Sequence, residues 1–402
     1  MTTEVSSPQS APNRRLVGWL SLAQLVTWGS VFYTFALLME PVERELGLTR
    51  AQSSLAFSLA LLAEGALAYP VGRWIDAGHE RAVMTGGSLL VGASLIAHSF
   101  ITSQAAFYAV WIALGAGLAA TLYSPVFAVV TRRFPNDFRR AIITLTFLGG
   151  LASTVFIPLS AWLISVMGWR HALWVLAGLQ LFLCAPLHAI YLRHAPGPRV
   201  ATNPEAHAKS PSVYLRSAPF LLIGVFVIGM MGVTAALPPH MISLLRGAGL
   251  EEAWVIAIPA SIGVIQVFGR LLLFFFEHHF DLHLANRLIP VLIPLGIGAL
   301  ILGAGYPWAA LLFVILYGLG NGMMTIVKGT AIAQYVNRDH VASLNGALGL
   351  PSALSRAIAP LLLGVMWSAE SGYQSGLWLL LVVSIVSALA LMLAQRRSLL
   401  PT

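Results

Sequence analysis

The sequence predicts an all-α membrane protein, with twelve transmembrane helices in two pseudo-symmetric six-helix bundles. Three observations carry that expectation. Charged residues make up 9% of the 402-residue chain against 58% hydrophobic ones, whereas a soluble domain carries about a quarter charged residues. Apolar stretches of about the 20 residues that cross a bilayer follow one another along nearly the whole chain. Short patterns also recur at an offset near half the chain length.

In chain order, residues 1–15 read as a Ser/Pro-rich cytoplasmic tail of disordered composition. The spans then fall roughly at 16–39, 51–72, 82–102, 105–130, 139–166 and 170–192, the N-terminal bundle of 16–192. The first follows Arg14-Arg15, is too long for a secretory h-region and lacks a small-residue cleavage site, so it is read as retained. Residues 193–216 are polar, with Pro196, Pro198, Pro204 and Pro211 and four cations, and read as a cytoplasmic linker. A C-terminal bundle of 217–394 follows, with spans roughly at 217–245, 253–276, 287–304, 308–335, 342–368 and 374–394, and then a tail of 395–402.

The net charge of +8 would suit nucleic acid, but its distribution excludes that partner. With the N-terminus inside, Arg132, Arg133, Arg139, Arg140, Arg396 and Arg397 join ten other cations in cytoplasmic segments, while external loops hold only Arg44, Arg50, Arg170 and Arg246. This is the positive-inside pattern and sets both termini in the cytoplasm. The compact loops fit a multi-pass protein of a bacterial inner (plasma) membrane. The single Cys184 excludes an internal disulfide and reads as a small core residue. No P-loop, nucleophile elbow or zinc spacing occurs, so no ATP motor, enzyme activity, cofactor or metal is expected, nor is an obligate protein partner evident.

The halves echo each other. Gly47-Leu48 with Ala51 recurs as Gly249-Leu250 with Ala253, Pro158-Leu159 as Pro360-Leu361, and Gly168-Trp169 with Leu173-Trp174 as Gly372-Tyr373 with Leu377-Trp378, at offsets of 202 to 204 residues. Parallel six-span repeats form one architecture of secondary transporters. Between spans two and three runs Gly72-Arg73-Trp74-Ile75-Asp76-Ala77-Gly78-His79-Glu80-Arg81. Here Gly72 is expected to allow close helix approach, Asp76 to accept charge-assisted bonds beside a helix end, and Gly78 to permit a tight reversal, with Arg81 completing a gating loop.

On these residues the chain resembles the major facilitator superfamily, from about residue 16 to 394. The second-half counterpart of the loop, Phe274 to Glu277 then His278-His279-Phe280-Asp281, has lost the Gly and displaced the Asp. Within the superfamily the chain is similar to the monocarboxylate transporter and oxalate/formate antiporter branch. That likeness rests on Gly29-Ser30-Val31-Phe32-Tyr33, Glu40-Pro41, Gly115-Ala116-Gly117 with Tyr123 and Pro125, Pro158 before Gly168-Trp169-Arg170, and Gln266 four residues before Arg270. The resemblance implies that Arg270 binds a substrate carboxylate and that Arg356 matches a second cation in span eleven. It departs where animal monocarboxylate transporters carry a span-one Lys and an Asp before the span-eight Arg. Tyr33 and Gln266 stand there, so that proton-coupling scheme does not transfer.

Independently of family, Arg270, Lys328 and Arg356 lie inside spans against one deep acid, Glu64. Embedded cations in surplus attract an anion, since charge inside a membrane faces a wet cavity or a partner. Arg suits a carboxylate through its bidentate fork. The plainer readings stay open: Arg270 snorkelling to headgroups, Arg356 serving carbonyls freed by Pro360, and Lys328 as a gate or interface residue. Glu64 is a candidate proton-coupling group, a neutral hydrogen-bonded acid or an arginine's partner. Tyr33, Tyr123, Tyr317 and Asn321 are further candidate substrate contacts, or packed side chains. His98, His188 and His240 fall near span ends and read as interfacial. The function expected is secondary transport of a small organic anion, monocarboxylate or short dicarboxylate, by alternating access with proton coupling or anion exchange. The competing reading is an efflux pump for apolar or cationic compounds, which the Phe, Trp and Met content favours and the absence of a Gly-Pro pattern in span five disfavours.

Overall fold

The computed structural model describes residues 10–134, 138–193, 212–276, 282–303, 306–337 and 341–399. In lipid every backbone polar group must be bonded within the protein, and a helix does this within one segment. Accordingly, ten helical segments among the described residues are long and apolar enough to cross a bilayer. We label the passes α1 (Arg15–Leu46), α2 (Arg50–Trp74), α3 (Glu80–His98), α4 (Gln104–Arg133), α5 (138–167) and α6 (169–191). There follow α7 (Ala218–Gly247), α8 (Glu252–Phe276), α9 (Leu282–Leu302), α10 (Pro307–Tyr335), α11 (Val341–Val365) and α12 (Gln374–Arg396). Twelve passes arise from ten segments in two ways. The continuous segment Thr144–Tyr191 is split at Gly168, whose φ of 76° and ψ of 159° break the helix into α5 and α6. Helix α3 is less apolar because Glu80, Arg81 and His98 occupy its ends.

Glycines terminate the helices where the sequence repeats. Gly47 and Gly249 have φ of 64° and 80°. After them, Leu48 N–H donates to the Glu43 carbonyl at 3.0 Å and Leu250 N–H to the Leu245 carbonyl at 3.4 Å. These are the six-to-one bonds of a left-handed glycine cap. Gly78 turns the chain between α2 and α3 with φ 92°.

The chain forms two compact units, one of residues up to Thr34 with 63–200, the other of 35–62 with 201–402. In the first, Leu20, Ile75, Met84, Val126, Val130 and Leu145 form a buried core. Helices α3 and α4 meet through small residues: a Cβ at Gly87 would lie 2.7 Å from that of Ala120, and one at Gly117 2.6 Å from Val91. The close approach expected at Gly72 is absent, since open space surrounds that position. The small-residue contact in this unit lies one helix further on. Three π-helical turns, Trp28–Tyr33 in α1, Ile75–His79 before α3 and Gln180–Cys184 in α6, occur here.

In the second unit α7 is central, packed by α11 and α12 and by the Phe35–Leu46 half of α1. Helices α8 and α10 interlock through Gly269, Gly318 and Gly322, the last so close that a Cβ would collide with the Gln266 backbone. Such Gly-xxx-Gly spacing lets membrane helices approach backbone to backbone.

Candidate functional site

The glycine seam places Arg270. With α8 and α10 in backbone contact, Arg270 donates from Nε to the Gly322 carbonyl at 3.2 Å. The same oxygen accepts from Thr325 at 3.1 Å. Gln266, one turn earlier, is buried at 7% exposure, and Asn321 is half-buried beside Gly322. Tyr317, at 1% exposure, stacks on Phe313 and donates to the Thr234 carbonyl at 3.2 Å, tying α10 to α7.

Lys328 of α10 reaches α7, with Arg356 of α11 close to it. The Lys328 ammonium donates to Met231 Sδ at 3.1 Å, and a thioether is a weak acceptor. The Arg356 guanidinium is near enough to repel it. Beside Arg356, Ser355 donates to the Ile228 carbonyl at 2.8 Å. The α7 segment from Ile228 to Thr234 thus receives polar groups from both neighbours. No Asp or Glu occurs between 253 and 276, between 287 and 338, or between 341 and 369, so the helix interiors carrying these three cations contain no carboxylate. Sequence reasoning assigned Lys328 to a gate or interface. Its closeness to Arg356 follows from helix rotation, which spacing alone does not reveal.

The first unit holds the other candidates. Tyr33 lies half-buried in the π-helical turn, its ring 5.5 Å from Phe32. Tyr123 opens the second half of α4 after a break at Leu122, stacked on Phe127 and 5.2 Å from Trp28. Glu64 is half-buried in α2. A buried polar set not foreseen lies beside them: Gln180 donates to Ser30 at 2.9 Å and to Thr27 at 3.3 Å, and Gln24 to the Thr121 carbonyl. The Gln24 and Gln180 amide oxygens and the Ser153 hydroxyl have no hydrogen-bond partner among the described residues. The signal for this set was polar residues at helical spacing within an apolar span.

At the first residue of α3, ahead of its apolar stretch, the ion pair is made by Glu80, not foreseen. Its carboxylate, with no exposed side-chain surface, is held by Arg133 of α4. Arg132 donates to the Ile75 carbonyl, and Arg81 to the Ala189 carbonyl at 2.7 Å. Burial raises the Glu80 carboxyl above its ordinary value, against the opposing pull of Arg133 and Arg132. The Asp76 side chain and the counterpart segment 277–281 lie outside the described residues.

The histidines correct the interfacial expectation. His98, His188 and His240 are all fully buried. His98 is boxed by Phe107, Trp111 and Trp169, and His188 meets Ser88 at 3.0 Å. His240 belongs to a relay within the second unit. Its Nε2 lies 2.9 Å from the Pro360 carbonyl, so Nε2 carries the proton and Nδ1 accepts from the Tyr373 hydroxyl at 3.0 Å. Tyr373 accepts from Arg50 at 3.1 Å, and Arg50 pairs with Glu43 at 3.2 Å. The Arg50 guanidinium also lies 5.2 Å from the Trp367 ring centroid. Their placement near helix ends was correct, but packing rather than sequence position decided burial.

A family profile for the Major Facilitator Superfamily matches residues 20–280. The chain belongs to that superfamily. It is a multi-pass membrane protein. It is 32% identical over 213 residues to monocarboxylate transporter 13 of Bos taurus, covering 50% of this chain and 47% of that protein. It is 36% identical over 110 residues to monocarboxylate transporter 13 of Rattus norvegicus, covering 27% and 25%. The chain thus spans about half the length of the bovine relative and a quarter of the rat one. Among solved structures it is similar to a bacterial homologue of the human lysosomal transporter Spinster, inward-facing and unoccupied, with TM-score 0.74, 16% identity and 98% of both chains covered. The nucleoside transporter NupG aligns with TM-score 0.68 at 16% identity over 95% of this chain and 98% of that one. At such identity the structural likeness concerns the fold.

Proposed function

We propose that the chain is a secondary active transporter of a small organic anion, a monocarboxylate or short dicarboxylate, working by alternating access with proton coupling or anion exchange. The observation that carries this reading is the Lys328 ammonium: a cation of α10 in a helix interior that contains no carboxylate, hydrogen-bonded to a thioether and close to the Arg356 guanidinium of α11. An ion at membrane depth needs a counter-charge or a wet cavity, and a carboxylate arriving from water supplies the first. Arg270 on the same unit adds a third positive group, and Gln266 and Asn321 are the neutral candidates there; within the first unit Tyr33 and Tyr123 are the candidate contacts. The likeness to monocarboxylate transporter 13 supports the same class. The cation asymmetry of the sequence supports cytoplasmic termini in a bacterial inner membrane.

The test is uptake into proteoliposomes with radiolabelled lactate, pyruvate, formate and oxalate beside a hydrophobic dye. Carboxylate uptake is expected, with Arg356→Ala and Lys328→Met each lowering it at least about tenfold, as loss of one charge-assisted contact predicts. Arg270→Ala is expected to abolish it, with membrane insertion retained. Dye transport without carboxylate uptake, or full carboxylate uptake by the Arg356 and Lys328 variants, overturns the reading.

A further inference from the structure

Helices α11 and α12 both pack along α7 yet scarcely touch each other. A cleft therefore opens between them with α7 as its floor. It comprises two adjoining cavities of about 280 and 500 Å³, which share Gly229 and Val383 in their walls. The floor is stripped of side chains at Gly224, Gly229 and Gly232, and the walls are aliphatic, from Leu348 and Leu362 on one side to Leu379 and Val386 on the other. Val382, Val386, Ile358 and Leu362 are exposed around it. In a membrane transporter such a surface faces hydrocarbon.

The mouth of the cleft has a different chemistry. Gly229 and Ser387 touch across the α7–α12 contact. From that level Phe220 and Arg396 are each nine residues away, or about 13 Å along their antiparallel helices. Arg396 and Arg397 therefore stand level with the Phe220 end of the cleft, and Arg216 precedes α7 at that same end. All three are exposed. Arg287 joins them, bonded to Gln395 at 2.8 Å. No acid occurs from 371 to the end of the chain. An apolar slot closed by a cationic mouth complements a molecule with a hydrocarbon tail and an anionic head, and basic pockets between membrane helices recognise such headgroups.

We propose that this cleft binds one acyl chain of an anionic phospholipid, whose phosphate is held by Arg216, Arg396 and Arg397. A zwitterionic lipid fits the slot but gains less at the mouth. None of Arg270, Lys328 and Arg356 lines the cleft, and its occupancy is testable without knowing the cargo.

The test uses the full chain purified in detergent, exchanged against phosphatidylglycerol or phosphatidylcholine of identical acyl chains, with native mass spectrometry and thermal unfolding as readouts. Phosphatidylglycerol is expected to be retained and to raise the unfolding temperature, phosphatidylcholine much less. The combined variant Arg216→Gln, Arg396→Gln, Arg397→Gln is expected to lose that preference by at least about tenfold. Val383→Trp, which fills the slot and leaves the arginines, is expected to reduce phosphatidylglycerol retention as well. Equal retention of both lipids overturns the proposal, as does an undiminished preference in the triple variant. Stabilisation reproduced by inorganic phosphate alone, or arising from self-association of the chain in place of lipid binding, overturns it too.

Discussion

Glu80 keeps its carboxylate with no exposed side-chain surface, bonded by Arg133 and near the Arg132 charge. Burial disfavours the charged form more strongly than Arg133 favours it, so the folded carboxyl sits above its ordinary value of 4.5. The folded state then binds the proton more tightly than the unfolded chain. The resulting stability is fully present below about pH 4.5 and is lost as pH rises through the raised folded value. We expect the unfolding temperature of the wild type to fall over that window and Glu80→Gln to flatten the fall; parallel pH curves for the two proteins would contradict it. Asp76 and Glu80 look alike in the sequence, both being acids in a short basic loop. That α4 delivers Arg133 to Glu80 is a fact of tertiary packing. Lys328 teaches the same lesson: its depth could be read from the hydropathy of its span, but its neighbour Arg356 could not.

The helices end where backbone chemistry demands. Gly47, Gly168, Gly249 and Gly372 all adopt positive φ, a region where a Cβ costs about 1–2 kcal/mol. Nothing lies within 4 Å of the position such a Cβ would take at Gly168 or Gly249, so Gly249→Ala should lose about that amount and Gly168→Ala, whose ψ of 159° is not left-handed helical, about 1–3 kcal/mol; thermal unfolding in detergent measures both. Gly322→Ala is a different case, since its Cβ collides with α8 backbone at Gln266. It should separate α8 from α10, shift Arg270 and impair uptake by more than its stability cost accounts for; normal transport would count against the seam as the support of Arg270. In the relay, Tyr373→Phe strands His240 Nδ1 and removes an acceptor from Arg50, at a cost of about 1–3 kcal/mol. An unchanged unfolding temperature would show the relay to be slack. These caps and breaks were legible because glycine is the residue for left-handed backbone. The relay was not, since it joins residues as far apart as 50 and 373.

Over the entire chain the internal repeat extends from letters to backbone geometry. Gly47 and Gly249 share both the positive φ and the six-to-one bond that follows, and Gly168 and Gly372 share the positive φ. Hydropathy and repeat spacing therefore exposed the twelve-pass class, because lipid acts on every residue of a span alike. The candidate site was only half legible, as it depends on which face each helix turns inward. The sole thiol adds a practical asset. Cys184 is sealed inside the first unit, with no accessible surface. Maleimide dyes or spin probes attached through newly introduced cysteines at exposed positions such as Glu45 or Glu370 would report on motion during turnover without a prior Cys-free background.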